Sequence, residues 1–196
     1  SRISSGALTL GRRDGAPFFH CHAIWRENDG AVRGGHVLPD ETMIAERAIV
    51  TAFGTDGAIF EAAHDPETNF KLFGPISAPS TNRDAPSRAI VVRLRPNQDF
   101  AGALEELCVR CGVARARIRG GVGSTIGAAF TDGRVVENFA TEVFVRSGAI
   151  APGSDGRPEA VIDVGLVDYA AEIASGRLRR GDNPVLMTFE LVLEAE

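Results

Sequence analysis

The stretch Phe18-Phe19-His20-Cys21-His22-Ala23-Ile24-Trp25-Arg26-Glu27-Asn28-Asp29-Gly30-Ala31-Val32-Arg33-Gly34-Gly35-His36-Val37 holds three of the four histidines of the chain. His20 and His22 are two apart in a run that reads as a strand, so both side chains leave the same face. Asn28-Asp29-Gly30 is a turn signal, and Gly30 suits the positive-φ residue that closes a three-residue hairpin loop. That loop pairs Glu27 with Ala31, Arg26 with Val32 and His22 with His36, which puts all three imidazoles on one face. A two-residue loop at Asp29-Gly30 would instead set His22 against Val37 and turn His36 away. The longer loop is the reading that keeps the histidines together. Three imidazoles at cross-strand spacing suit a divalent metal such as zinc, which takes nitrogen ligands at roughly 2.0–2.1 Å. A three-ligand site leaves a position open for water or substrate. The alternative is an ordinary strand pair with half-buried polar histidines.

Composition sets the outer limits. With 44% hydrophobic and 24% charged residues, the 196-residue chain is long enough for one or two compact, globular domains. A net charge of −5 and a pI of about 5.4 argue against a strong nonspecific grip on phosphate backbones, which needs clustered Lys and Arg. No apolar run approaches the roughly 20 residues of a membrane span. No signal peptide is recognisable, so a cytoplasmic location is expected. Cys21, Cys108 and Cys111 make no disulfide framework. Cys108-Val109-Arg110-Cys111 has redox-motif spacing. It falls late in a helix, however, where no N-terminus lowers a thiol pKa. Leu104, Leu107, Cys108 and Cys111 form one helical stripe, so both cysteines of the motif are expected in the core.

Along the chain, Ile3 to Leu10 reads as a strand and Arg12 to Pro17 as a loop before the histidine hairpin. Ala48 to Phe53, apolar and β-branched, reads as a buried strand, followed by a turn at Gly54-Thr55-Asp56-Gly57 and a returning strand from Ala58 to Ala63. His64 reads as an exposed loop residue. Ser77 to Ser87 reads as a linker. Arg88 to Arg95 is a strand. Asp99 is an N-cap for a helix from Phe100 to Cys111, and Gly112 stands at its C-terminal cap. Gly120-Gly121-Val122-Gly123 invites a phosphate-loop reading, but no helix start follows it, so close backbone packing or a bulge is expected. Further strands are expected over Ala114 to Arg119, Glu142 to Ile150, Ala160 to Asp168, Glu172 to Leu178 and Val185 to Leu193.

The sequence also partly repeats itself. Ser5-Gly6-Ala7-Leu8 resembles Ser147-Gly148-Ala149-Ile150, and Gly34-Gly35-His36-Val37 resembles Ser175-Gly176-Arg177-Leu178. Ala48 to Phe53 resembles Val185 to Glu190. His20, His22 and His36 then correspond to Val161, Asp163 and Arg177, so the second copy has lost the ligands and holds an Asp opposite an Arg. Residues 1–76 read as the C-terminal half of one module, 77–87 as a linker, and 88–196 as a complete module.

Three motifs, the Gly-rich strand Ile118 to Ser124, the strand ending in Ser147-Gly148, and HxH followed by Gly34-Gly35-His36, resemble the plants-and-prokaryotes conserved (PPC) domain family. Arg93 to Phe100, a strand running into a helix led by an acidic residue, adds to the match. The resemblance implies an α+β fold, a mainly antiparallel mixed β-sheet flanked by a few helices, here internally repeated, and assembly into homotrimers. It further implies zinc held by three histidines, as in prokaryotic members. Plant members add an AT-hook for DNA. This chain lacks an Arg-Gly-Arg-Pro core; Gly156-Arg157-Pro158 is no equivalent. Two function classes follow: a metal-dependent enzyme or small-molecule binder using His20, His22 and His36, or a DNA-associated regulatory assembly module without catalysis. For the first, Asp40, Glu41 and Glu46 are nearby candidate bases.

Overall fold

The computed structural model describes residues 1–47, 49–80 and 88–196. Eleven strands and one helix are found among them: β1 (Arg2–Arg13), β2 (Ala16–Arg26), β3 (Val32–His36), β4 (Ala58–Asp65), β5 (Phe70–Ser77), β6 (Ala89–Leu94), α1 (Phe100–Cys111), β7 (Ala116–Ala129), β8 (Val135–Pro152), β9 (Pro158–Asp168), β10 (Ile173–Arg177) and β11 (Val185–Ala195). They form two sheets, ordered β3-β2-β1-β4-β5 and β10-β9-β8-β7-β11-β6. All pairings are antiparallel except β1 with β4. The mainly antiparallel expectation holds, but one helix stands where a few were expected. That helix is too short to cross a membrane.

The main core lies in the six-stranded sheet, under α1. Phe100, Leu104 and Cys108 from the helix pack with Val143, Val145, Phe189, Leu191 and Leu193 from the strands. Strand alternation then turns the intervening residues, Glu142, Thr188 and Glu190, to the other face, where the five-stranded sheet lies. There β1 and β2 pack against β7 and β8, and β2 and β3 against β9. The helix is bounded as its sequence signals: the Asp99 carboxylate accepts from the Gly102 N–H, and Gly112 caps the end at φ 66°.

Several expectations change. Arg12 to Pro17 is not a loop: Asp14 and Gly15, both at positive φ, make a tight turn, and strand pairing runs to Arg13 and Ala16. Residues 49–53 form no strand, and Ile49, Val50 and Phe53 are exposed; Ala48 lies outside the described residues. Apolar β-branched composition makes a strand only where a partner edge receives it, and none of the described strands pairs with 49–53. His64 lies in β4 rather than in a loop, paired with Lys71 of β5, a strand the reading missed. Cys108 is buried but Cys111 is exposed at the last turn of α1. The glycine cluster lies within β7, where Gly120 and Gly121 at positive φ make a bulge against β11 and Gly123 makes a close approach. A Cβ on Gly123 would enter the Thr188 carbonyl and the Phe189 side chain of β11. Of the linker, residues 81–87 lie outside the described residues.

Candidate metal centre

The hairpin takes the register that brings the histidines together. Arg26 pairs with Val32 and His22 with His36. The Glu27 N–H donates to the Ala31 carbonyl at 2.8 Å, Gly30 sits at φ 89°, and Asp29 accepts from the Ala31 N–H at 2.9 Å. Each detail belongs to a three-residue loop closed by glycine.

His20 Nε2 lies 3.1 Å from His22 Nε2, and His22 Nε2 lies 3.3 Å from His36 Nδ1. One ligand atom from each ring falls within 4.8 Å of the other two. Two donors around a tetrahedral ion with bonds of roughly 2.0–2.1 Å stand about 3.3 Å apart, so the spacing fits.

The far nitrogens of His20 and His22 are each held by an acceptor. His20 Nδ1 is 2.6 Å from Glu190 Oε2, and His22 Nδ1 is 3.0 Å from the Val143 carbonyl oxygen. Carboxylates and carbonyls accept, so each ring donates from Nδ1, and Nε2 of the neutral ring carries a lone pair toward the centre. Glu142 Oε2 also lies 2.5 Å from His22 Nε2. At that distance the two share a proton in the metal-free chain, so His22 Nε2 gives up a proton when an ion takes its lone pair. This is the arrangement of a metal-ligand set with its supporting hydrogen bonds.

A buried polar chain backs the site. Glu190 is fully buried and accepts from the Thr188 hydroxyl at 3.0 Å on its second oxygen. Thr188 accepts from Arg93 Nε at 3.2 Å, and Arg93 Nη2 donates to Asp65 at 3.0 Å. Thr68 donates to the same Asp65 oxygen at 2.8 Å. The carboxylate behind His20 is therefore linked, through Thr188, to the Arg93–Asp65 ion pair.

Exposure grades across the centre. The His22 side chain is 1% exposed, His20 16% and Glu142 44%, while His36 is exposed, so the cluster opens to solvent on the His36–Glu142 side. Partial desolvation of the ring against its neighbours, then the charges of His20 and His22, push the His36 pKa down to about 4 against the opposing pull of Glu142. His36 is therefore neutral near pH 7, with its lone pair available. Burial raises the Glu142 pKa, but the hydrogen bond with His22 and the charges of the three histidines outweigh it and leave the carboxyl below its ordinary value. Cys21, between two ligands in sequence, points from the opposite face; burial pushes its thiol up to about 11.

Asp40, Glu41 and Glu46 do not join the centre; they are exposed on the segment after β3. The carboxylates that do join are Glu142 and Glu190, both from the other sheet. Residue spacing gave no hint of them, although Thr188 and Glu190 are polar residues at alternate positions in the middle of a mainly apolar strand. In β9 and β10, Asp163 does pair in register with Arg177, but its ion pair is with Arg146, at 3.3 Å.

These observations define a two-sheet β protein with a three-histidine centre on the seam between its sheets. No family model and no curated protein matches the sequence. Among solved structures, the chain is similar to a plant- and prokaryote-conserved (PPC) protein of Pyrococcus horikoshii. The identity is 18% and the TM-score 0.46, over 56% of this chain and 80% of that one. It is also similar to a metal-containing protein of Archaeoglobus fulgidus, at 20% identity and TM-score 0.47, over 56% of this chain and 81% of that one. A third likeness is to a Bacteroides thetaiotaomicron protein named as a candidate DNA-binding protein, at 14% identity and TM-score 0.46, over 57% and 81%. The resemblance to the PPC family recurs at this level.

Proposed function

We propose that the chain binds one divalent metal ion, zinc or a similar transition metal, through His20, His22 and His36, as a small-molecule binder or metal-dependent enzyme. The observation that carries this reading is the commitment of His20 and His22 Nδ1 to acceptors, which leaves their Nε2 atoms facing each other at 3.1 Å. A bound ion would supply Lewis acidity toward a carbonyl or a water. The chain's own residues set the conditions: Glu190 and Val143 fix two ring orientations, burial of His22 keeps water from one side, and the His36–Glu142 side admits a ligand. Metal content by mass spectrometry tests it. The expected result is one ion per chain, lost in His22→Ala; metal retained in that variant would refute the reading. The net charge of −5 argues against a strong nonspecific grip on a nucleic-acid backbone, so the metal reading is favoured over the DNA-associated regulatory module.

The domain reading, half a module in 1–76, a linker, and a full module in 88–196, is part of the same proposal. It is supported by two hairpins in corresponding register, His22 with His36 and Asp163 with Arg177, each with a positive-φ glycine before its last strand residue, Gly35 and Gly176. The pairing of Ala48 to Phe53 with Val185 to Glu190 drops out, because 49–53 is no strand. The second hairpin carries Val161, Asp163 and Arg177, and a protonated guanidinium repels a cation, so no second ion is expected. Self-assembly into a homotrimer is supported by the exposure of Met43, Ile44, Ile49 and Val50. A monomeric mass by light scattering would refute it.

A further inference from the structure

We propose that Glu142 is itself a ligand of the ion, so that the centre is a three-histidine, one-carboxylate site bridging the two sheets. The proposal rests on the three-histidine reading above and deepens it. It starts from β8. Val143 turns its side chain into the main core, so Glu142, one residue earlier, faces the hairpin. These two consecutive residues hold His22 at both ring nitrogens. The Val143 carbonyl accepts from Nδ1 at 3.0 Å, and the Glu142 carboxylate stands 2.5 Å from Nε2, the atom that would ligate. β8 is paired on both sides, with β7 and with β9, so this placement belongs to the rigid part of the sheet.

The other carboxylate at the site cannot do the same. Both oxygens of Glu190 are engaged, one by His20 and one by Thr188, and they lie on the far side of the His20 ring. Glu190 positions, whereas Glu142 stands against the ligating nitrogen of His22. Charge favours the assignment as well. Three neutral imidazoles leave a dication uncompensated in a partly buried site, and one carboxylate ligand removes half of that charge. A nitrogen-rich set with one oxygen donor, and no thiolate, suits zinc, iron, cobalt or nickel. Because the histidines come from β2 and β3 and the carboxylate from β8, the ion would fasten one sheet to the other.

The test uses the full chain, stripped with a chelator and titrated with Co²⁺, whose visible absorption reports its ligands; Zn²⁺ competition then gives affinities. The wild-type protein should take one Co²⁺ per chain. Glu142→Gln should still take one, bind it at least about tenfold more weakly, and show a changed visible spectrum. Glu142→Ala should behave alike, with excess acetate restoring part of the wild-type spectrum. An unchanged spectrum in both variants would overturn the proposal, whether or not affinity falls, since a carboxylate acting only through space leaves the ligand set intact. His22→Ala separates the two claims. If it loses Co²⁺ while Glu142→Gln keeps a wild-type spectrum, the three-histidine centre stands and the fourth ligand falls. If the wild-type chain takes up neither metal, the three-histidine reading falls.

Discussion

Glu190→Gln tests how the site is built. Glu190 accepts from His20 Nδ1 at 2.6 Å and from the Thr188 hydroxyl at 3.0 Å, with no exposure to water. Glutamine keeps the shape but has one acceptor end and one donor end. If its carbonyl faces His20, its amide faces Thr188, and the hydroxyl proton loses its acceptor. If it flips, the amide faces a ring N–H, and His20 is driven to the other tautomer, with hydrogen on the nitrogen that should ligate. Either arrangement strands one buried group, which costs about 1–3 kcal/mol. Removing the side chain in Glu190→Ala takes the acceptor from both the His20 ring N–H and the Thr188 hydroxyl, so two buried donors are stranded rather than one. Metal affinity should fall roughly 10–100-fold in Glu190→Gln, the usual effect of losing a partner that orients a ligand. Urea unfolding with chelator present measures the first effect, and zinc titration against a competing chelator measures the second. A Glu190→Gln protein that unfolds at the wild-type urea concentration and binds zinc as tightly would refute the reasoning.

Further measurements probe other links. Gly123→Ala should lower stability by about 1–3 kcal/mol in thermal melts, because its methyl would enter the Thr188 carbonyl and Phe189. Asp99→Ala should cost roughly 1–2 kcal/mol, also by thermal melting, since Asp99 accepts from the Gly102 N–H at 2.8 Å and the Asn183 N–H at 3.0 Å. Acidification of the metal-free protein should cost stability between about pH 6.5 and 4. Unfolded His36 takes its proton near 6.5 but folded His36 only near 4, so the unfolded state binds more protons in that window. His36→Asn should flatten this part of the pH profile, and an unchanged profile would contradict the assignment.

What the sequence discloses is local, and the reasons are physical. Asn28-Asp29-Gly30 specifies its loop through the φ that glycine tolerates, and that loop sets the His22–His36 register. Asp99 and Gly112 bound α1 for similar reasons, since caps satisfy backbone groups within a turn of themselves. The strand expected over 49–53 fails because apolar, β-branched composition says nothing of whether an edge is free to receive it. Cys111 fails because a helical stripe predicts a buried face, and the last turn of α1 runs past the sheet it packs on. The acids fail differently. Asp40, Glu41 and Glu46 are near the histidines in sequence, but proximity along a chain leaving a strand end does not return it to the site. Glu190 bonds His20 across a separation of 170 residues, and the Val143 carbonyl meets His22 across 121. Only the stacking of the sheets makes those contacts.

That separation bears on what the centre does for the protein. The histidines alone fix three donors on one sheet, but the groups that choose their tautomers sit on the other. Undocked, the hairpin would present three imidazoles free to rotate and to hydrogen-bond water. Docked, two of them are held with their lone pairs inward, and an ion finds the geometry already formed. Binding energy that would have gone into ordering side chains is available for affinity. The same coupling runs in reverse: an ion that binds only the docked arrangement stabilises it by RT ln(1 + [M]/Kd), about 2.7 kcal/mol at a hundredfold excess over Kd. The buried chain Glu190–Thr188–Arg93–Asp65 extends that coupling. It runs from β11 through β6 to the end of β4, so it ties the five-stranded sheet to the six-stranded one a second time, away from the ion. Each link is a polar group that would be costly to bury unpaired. Loss of sheet docking therefore strands the polar chain and scatters the metal donors together, which makes site integrity and docking of the sheets one cooperative event.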